Sequence, residues 1–273
     1  MLAYNGEWEW ADIPSWPIGV TVKKDGIRAL TQNGTVLTRT GKPIPNRYIS
    51  AYLSSLPSNL DGEVVTINLD TGHEDNFYTC SGKIRSVDGS PMFKFYVFDY
   101  IMAGTTYVDR VRRAAELVPQ PHLFCHILHP VLMTSPEVTQ ECFRAETEER
   151  GSEGIILRKL DAPYKHGRCT LNEGYMFKMV PHKKEIGVIV GFTPNQFHPD
   201  RIGAIKVNSL LHGTISVGTG FSMSQSKDMR MWPQKYIGQN IIFRHKCNRK
   251  KDAPSSASMV SLGNEHNLHT TPA

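Results

Sequence analysis

The segment Lys23-Lys24-Asp25-Gly26-Ile27-Arg28 lies between two runs of strand-forming residues and decides how the amino-terminal half folds. Residues 18–22 before it have the composition of a strand, and residues 28–31 and 36–39 after it are joined by Asn33-Gly34, which is typical of a two-residue hairpin turn. Lys23 is therefore held on a rigid element. Because a deprotonated lysine amine is a nucleophile, Lys23 is a candidate catalytic residue, although a charged turn has the same composition.

The remaining pattern predicts an α+β domain followed by an all-β domain. The predicted helices and strands of the first domain alternate along the chain: helices at residues 46–56, 108–118 and 134–151, and strands at residues 63–67, 93–98 and 154–157. Beyond Glu185 the pattern favours short strands only, at residues 187–192, 204–207, 214–217 and 241–244. We expect domains at residues 1–182 and 183–273. The tail beyond about residue 253 is either an edge strand near residues 258–262 or disordered.

Composition indicates a globular protein whose positive charge is concentrated downstream. Of the 273 residues, 40% are apolar and 21% are charged, which is typical of a folded domain rather than of disorder. The net charge of +5 divides into −2 for residues 1–180 and +7 for residues 181–273. This asymmetry suits a module that binds phosphates attached to a module that performs chemistry.

Several classes of protein are disfavoured. Apolar runs such as residues 187–192 are far shorter than the ~20 residues of a membrane span, and the acidic start (Glu7, Glu9, Asp12) does not resemble a signal peptide. The five cysteines are scattered without a Cys-x-x-Cys pair, which predicts reduced thiols. We expect an intracellular, cytoplasmic monomer without membrane contact.

Five further motifs follow the first lysine motif in a fixed order. They are Thr38-Arg39-Thr40-Gly41-Lys42, Leu60-Asp61-Gly62-Glu63, Phe95-Tyr96-Val97-Phe98-Asp99, Gly151-Ser152-Glu153-Gly154-Ile155-Ile156-Leu157-Arg158 and Met176-Phe177-Lys178-Met179-Val180. Together with Lys-x-Asp-Gly-x-Arg, this series resembles the covalent nucleotidyltransferases, the superfamily of DNA ligases, RNA ligases and messenger-RNA capping enzymes. The resemblance extends from about residue 17 to residue 242. It implies a nucleotidyltransferase domain of ATP-grasp-like antiparallel sheets with helices, followed by an OB-fold domain.

The resemblance also implies roles for individual residues. Lys23, with Asp25 and Lys178 as the other catalytic residues, would attack the α-phosphorus of ATP and retain AMP. The other implied contacts are Arg28 with ribose and phosphate, Glu63 with ribose or a metal, Phe98 with adenine, Glu153 with Mg²⁺ or Mn²⁺, Lys178 with the α-phosphate, and Arg39 with the nucleotide and the 5′-phosphate of a nick. Nucleic acid would contact Arg39, Lys42, Arg168, Lys246, Arg249, Lys250 and Lys251.

The segment Pro163-Tyr164-Lys165-His166-Gly167-Arg168 resembles small phage and viral DNA ligases, which favours sealing of nicked duplex DNA. RNA ligation, RNA-to-DNA joining and capping are the alternatives. The sequence departs from the family pattern at two places. The second lysine that usually follows two residues after Lys178 is missing, and Lys183 or Lys184 could replace it. The basic residues 246–252 do not match the usual sixth motif. A non-enzymatic alternative is an OB-fold binding module whose aromatic residues are Phe221, Trp232, Tyr236 and Phe243.

Overall fold

The computed structural model describes residues 1–6, 8–247 and 254–263. The chain divides into two compact units between Val180 and Pro181. Each unit has hydrophobic clusters of its own, three in the described part of the first unit and one in that of the second.

The first unit contains nine strands and four α-helices among its described residues. The strands are β1 (Ile18–Val22), β2 (Ile27–Gln32), β3 (Thr35–Thr38), β4 (Leu60–Thr66), β5 (Phe93–Tyr100), β6 (Cys125–Ile127), β7 (Val131–Met133), β8 (Ile155–Lys159) and β9 (Met176–Met179). The helices are α1 (Arg47–Ser54), α2 (Phe77–Arg85), α3 (Tyr107–Leu117) and α4 (Pro136–Arg144).

These strands form two sheets, and the chain crosses from one to the other directly after β1. The first sheet has the order β7-β1-β8-β9 and the second has the order β3-β2-β4-β5-β6. Every pairing is antiparallel except β5 with β6. The larger core packs α1, α2 and α3 against the second sheet through residues such as Leu53, Ile84 and Val111. The arrangement leaves the strand ends that follow β1 and precede β8 close together.

A cluster of aromatic side chains covers the outer face of the first sheet. Trp8, Trp10 and Trp16 are partly buried beside Phe177, with the Trp8 and Trp10 ring centroids 5.3 Å apart. Ile18, Val20, Ile155 and Leu157 fill the same small core. The opposite face of this sheet carries Thr21, Ile156 and Lys178 in register.

The second unit is one five-stranded antiparallel sheet with a helix. Its elements are β10 (Lys183–Pro194), β11 (Ile202–Ser209), β12 (Gly213–Val217), α5 (Met223–Met231), β13 (Asn240–Cys247) and β14 (Pro254–Leu262). The order is β12-β11-β10-β13-β14. Bulges interrupt β10 against β11 and β13 against β14, and such bulges increase the local bend and twist of a sheet. The inner face is filled by Ile189, Ile205, Val207, Val217, Ile241 and Phe243.

The predicted fold class is close to the observed one, with local differences. The last helix of the first unit was predicted to extend to Gly151, but α4 ends at Arg144. A π-type turn, Ala145–Glu149, follows it. The all-β prediction for the second unit omitted α5, which begins at a capping box formed by Ser222 and Gln225. Of the two alternatives for the tail, the edge strand is the one observed, over Pro254–Leu262.

Two further findings concern predictions of chemistry and location. Cys80, Cys125, Cys142 and Cys169 are free thiols, as predicted. Within the described part of the chain, each helix is too short or too polar to cross a lipid bilayer.

Candidate active site

Lys23 lies at the point where the chain leaves the first sheet for the second. It follows β1 directly, and its backbone N–H donates to the carbonyl of Gly154 over 2.8 Å. Its ammonium group donates a short hydrogen bond to Glu153, and the two side chains are each only 25% exposed. The structure therefore brings together a lysine and a glutamate that are 130 residues apart in sequence.

Gly26 allows the crossing segment to approach the second sheet closely. A Cβ atom at this position would lie 2.2 Å from the carbonyl oxygen of Val64 on β4, which no side chain tolerates. The residues that follow pair directly with β4, with Arg28 opposite Glu63. The glycine of the first motif thus places Lys23 beside the strand that carries Glu63. Asp25 lies in the same crossing segment and is partly buried.

Glu63 is an acid in an environment that disfavours its charge. Burial raises its pKa to about 8, and the negative charges of Glu153 and Asp61 act in the same direction. The positive charges of Lys23 and Arg28 oppose this shift without cancelling it. Two carboxyl groups, Glu63 and Glu153, therefore share the neighbourhood of Lys23, and the more buried one retains its proton at neutral pH.

Phe98 occupies an irregular position in β5. The register with β4 shifts between Asp61 and Gly62, which pair with Asp99 and Val97 and leave Phe98 as the extra residue of a β-bulge. Its partly buried ring lies 5.3 Å from the guanidinium carbon of Arg158 and 5.8 Å from that of Arg28. The bulge turns the ring toward cationic groups, so Phe98 is not among the residues of the large hydrophobic core.

Arg28 is fixed by a carboxylate that the sequence analysis did not assign. Its Nε and Nη2 atoms donate to the two oxygens of Asp61 over 2.8 Å and 2.5 Å. Tyr164 donates to Asp61 as well, over 2.8 Å, and burial raises the pKa of this phenol so that it retains its proton. Arg28 also donates to the carbonyl of Met1. The guanidinium is thus held rigidly next to Glu63 and Phe98.

Lys178 lies on the same sheet face as Thr21 and Ile156. Its ammonium donates to the side-chain oxygen of Asn5, and its carbonyl accepts a hydrogen bond from Trp8. Residues 1–5 run along this side of the unit, where Leu2 and Tyr4 bond to Gly167, Cys169 and Met176. No sequence signal indicated that the amino-terminal residues line the site.

A buried ion network joins the two sheets behind the site. Asp99 of β5 accepts hydrogen bonds from Arg110 of α3 and from Arg158 of β8, and all three side chains are at most 3% exposed. Arg110 also donates to the carbonyl oxygens of Thr105 and Ala162. Since a buried charge that loses its partner costs several kcal/mol, this network fixes β5 relative to β8.

The residues predicted to contact nucleic acid are distributed over both units. Arg39 and Lys42 are exposed in the turn that follows β3. Arg168 is exposed but donates to the carbonyl of Ala3 over 2.9 Å. Lys246 is partly exposed on β13, and Arg249, Lys250 and Lys251 lie outside the described residues.

The aromatic residues of the non-enzymatic alternative do not form a base-stacking surface. Phe243 is fully buried and Tyr236 is 7% exposed, because both belong to the core of the second unit. Phe221 packs partly against that core, whereas Trp232 is 51% exposed. One exposed ring is not a platform for successive bases.

Comparisons with known proteins identify the family of the chain. Residues 14–178 match the protein family described as the ATP-dependent DNA ligase domain. A probable DNA ligase of Streptomyces avermitilis is 30% identical over 176 residues, which cover 55% of this chain and 33% of that protein. The DNA ligase of Haemophilus influenzae is 22% identical over 239 residues, covering 86% of this chain and 83% of that one. The chain thus spans about a third of the length of the Streptomyces relative.

Among solved structures, the Chlorella virus DNA ligase-adenylate is 27% identical with a TM-score of 0.57, and the alignment covers 96% of this chain and 97% of that one. The fold is therefore that of a nucleotidyltransferase domain followed by an OB-fold domain. The chain belongs to the ATP-dependent DNA ligase family.

Proposed function

We propose that this protein seals nicks in duplex DNA, joining a 3′-hydroxyl to a 5′-phosphate at the expense of ATP. The observation that carries the proposal is the position of Lys23, at the crossing between two sheets, bonded to Glu153 and beside Glu63 and Arg28. Family membership supports the use of ATP. We further propose that the protein acts as a monomer in the cytoplasm.

The first step is transfer of AMP to Lys23. The ammonium gives up a proton, the amine attacks the α-phosphorus of ATP, the bond to the β-phosphate breaks, and pyrophosphate leaves. Phosphoryl transfer depends on positioning and on offsetting negative charge on the phosphate oxygens. Arg28 and Lys178 supply that charge from the two sheets. The adenine base is proposed to stack on the ring of Phe98. Arg39 is proposed as a further contact to the nucleotide.

Glu63 and Glu153 fit a divalent cation. Carboxylate oxygens are the ligands that Mg²⁺ and Mn²⁺ prefer, and both carboxyl groups lie near Lys23. Burial favours the protonated form of Glu63, and a cation bound there would favour the ionised form. A cation held there would offset charge on the phosphate oxygens of ATP.

The second unit is proposed to bind the nicked duplex. Its sequence carries a net charge of +7, against −2 for the first 180 residues. Such an excess gives affinity for the phosphate backbone that falls with salt. Lys246, Arg249, Lys250 and Lys251 are the proposed contacts from this unit, and Arg39, Lys42 and Arg168 those from the first.

Intact mass spectrometry tests the covalent step. After incubation with ATP and Mg²⁺, the wild-type protein should gain the mass of one AMP, and Lys23→Ala should gain none. Lys24→Ala is the matched control, because Lys24 is engaged elsewhere, with Glu74 at 2.7 Å and over the ring of Tyr96. An adduct on Lys23→Ala equal to that of wild type would refute the proposal.

A sealing assay tests the substrate. Nicked duplexes with DNA or RNA on each side of the break should be joined fastest when both sides are DNA. Faster joining of an RNA strand would assign the protein to the RNA-ligating alternatives instead.

A further inference from the structure

A second cluster of potential ligands lies in the second unit and has no part in the proposed ligation chemistry. Glu185 of β10, His245 of β13 and His212 of the turn between β11 and β12 converge so that one ligand atom from each lies within 4.8 Å of the others. The three residues come from segments up to 60 positions apart. Their convergence therefore follows from the sheet and not from a local turn.

The geometry directs both imidazoles at one carboxylate oxygen. Oε1 of Glu185 lies 2.7 Å from Nε2 of His245 and 2.9 Å from Nε2 of His212, and the two rings are almost perpendicular, at 81°. The other carboxylate oxygen accepts a hydrogen bond from Ser209 over 2.8 Å. Ligands that are oriented in this way by an outer partner are typical of metal sites.

His245 directs its Nε2 atom into the cluster. Its Nδ1 atom faces the carbonyl oxygen of Lys246 at 3.2 Å, and since a carbonyl only accepts, Nδ1 must carry the hydrogen. In a neutral ring, Nε2 then presents a lone pair to a carboxylate oxygen 2.7 Å away. This lone pair is directed at the space that Glu185 and His212 also face, which is the geometry a metal ligand needs.

Burial and access suit a metal ion. His245 is fully buried, so water does not compete for its Nε2 atom. The Glu185 and His212 side chains are 9% and 15% exposed, which leaves a route for an ion from solvent. Zinc bonds of about 2.0–2.2 Å to nitrogen and oxygen require both contacts to lengthen by a few tenths of an ångström, and a shift of the Glu185 carboxylate, whose Oε1 atom takes part in both, would provide this.

We propose that Glu185, His212 and His245 bind one Zn²⁺ ion, with water in the remaining position. Two imidazoles and one carboxylate suit Zn²⁺ better than Mg²⁺, which prefers oxygen ligands and keeps its water. The ion connects β10, β13 and the turn between β11 and β12 at one end of the inner face of the sheet. This inference does not depend on the proposed ligase activity, and the ion is distinct from the cation of the first unit.

Isothermal titration calorimetry tests the site in the full chain. The protein is first stripped with a chelator and then titrated with ZnCl₂ in excess Mg²⁺, which occupies oxygen-only sites. Wild type should bind one equivalent of Zn²⁺. His212→Ala and Glu185→Gln should each lower the zinc affinity by ~100-fold or more, because the loss of a residue that only orients a ligand already lowers metal affinity by about 10–100-fold. Ser209→Ala should weaken it by about tenfold for that reason. His212 is preferred to His245 for this test because it is not part of the core.

Two controls separate this site from other zinc ligands in the chain. His198→Ala, at an exposed position of the same unit, and the double variant His266→Ala with His269→Ala, outside the described residues, should bind as wild type does. Co²⁺ substituted into the wild type should give a visible spectrum without thiolate charge transfer. Unchanged zinc affinity in His212→Ala, loss of binding in the tail variant, or a thiolate band would each overturn the proposal.

Discussion

At the scale of single residues, the raised pKa of the buried acid Glu63 predicts one contribution to the pH dependence of stability. Its folded-state pKa of about 8 lies above the value near 4.5 of an ordinary glutamate. Between these values the folded protein binds one proton that the unfolded chain does not. The free energy of unfolding therefore falls as pH rises through this window, by at most ~1.4 kcal/mol per pH unit for this group.

Glu63→Gln should remove this pH dependence. The glutamine cannot ionise, so the variant should melt at a higher temperature than wild type at pH 8, with a difference that shrinks toward pH 5. Thermal unfolding without nucleotide or metal measures it, and adenylylation should be impaired in the same variant. Equal shifts at both pH values would show that Glu63 does not titrate in this range.

Glu153 and Lys178 should each matter for the rate of nucleotide transfer. Replacing either with alanine removes one preorganised charge near the proposed phosphate position, and we expect a loss of ~10²-fold or more in single-turnover rate. Lys159→Ala is the control, because Lys159 belongs to the same sheet but follows Ile155 and Leu157 on the opposite face. Rates close to wild type for both site variants would contradict their assigned roles.

Sequence motifs identify residues of this site unevenly. Lys23, Glu63 and Glu153 were predicted because each stands in a short motif of distinctive composition, and the structure brings them together. The pairing of Asp61 with Arg28 and of Asp99 with Arg158 was not predicted, since the partners are 33 and 59 residues apart. An ion pair between distant segments leaves no periodic pattern in either one.

At the scale of elements, Gly154 determines how β8 begins beside β9. Its φ of +149° is unfavourable for other residues, and a Cβ atom would lie 2.1 Å from the carbonyl oxygen of Met179. Its own carbonyl accepts the hydrogen bond from the backbone of Lys23. The glycine therefore links the nucleophile, Glu153 and β9.

Gly154→Ala should lower the free energy of unfolding by about 1–3 kcal/mol and slow adenylylation, because Glu153 and Lys23 would shift. Urea denaturation and single-turnover adenylylation measure the two effects. Gly82→Ala is the control: it lies exposed within α2 with no atom near the added methyl group, and should stabilise by about 0.5–1 kcal/mol. If Gly154→Ala were as stable and as active as wild type, β9 would have to make room for the added methyl group, and the prediction would be wrong.

Helices with clear caps were the easiest elements to predict. Asn46 and Ser135 accept backbone hydrogen bonds at the starts of α1 and α4, two of the three helices that were predicted. The nine-residue helix α2 has a capping asparagine too, Asn76, but its buried face is only Cys80, Ser81 and Ile84. Such a weak apolar pattern does not distinguish a helix from a loop.

At the scale of the whole molecule, the positive charge concentrated in the second unit predicts how the affinity for nicked duplex DNA responds to salt. Changing Lys246, Arg249, Lys250 and Lys251 together to glutamine should reduce the slope of log affinity against log salt by about 3 to 4, if each contacts one phosphate. Affinity for nicked duplex is measured across a salt series. Self-adenylylation needs no DNA and should change less.

Two other lysines of the same unit provide the matched control. Lys227 and Lys235 are paired with Asp200 and Asp228 at 2.9 Å and 3.0 Å. Changing both to glutamine should leave the salt slope close to that of wild type. A slope that is the same in the quadruple variant as in this control would contradict the proposed contacts.

The four tryptophans form two groups of natural fluorophores with different surroundings. Trp8, Trp10 and Trp16 are clustered and partly buried in the first unit, and Trp8 bonds to the carbonyl of Lys178, whereas Trp232 of the second unit is half exposed. Their emission should differ in wavelength and in access to a soluble quencher. Selective quenching thus distinguishes the four tryptophans by unit, so that each unit can be followed without any added label.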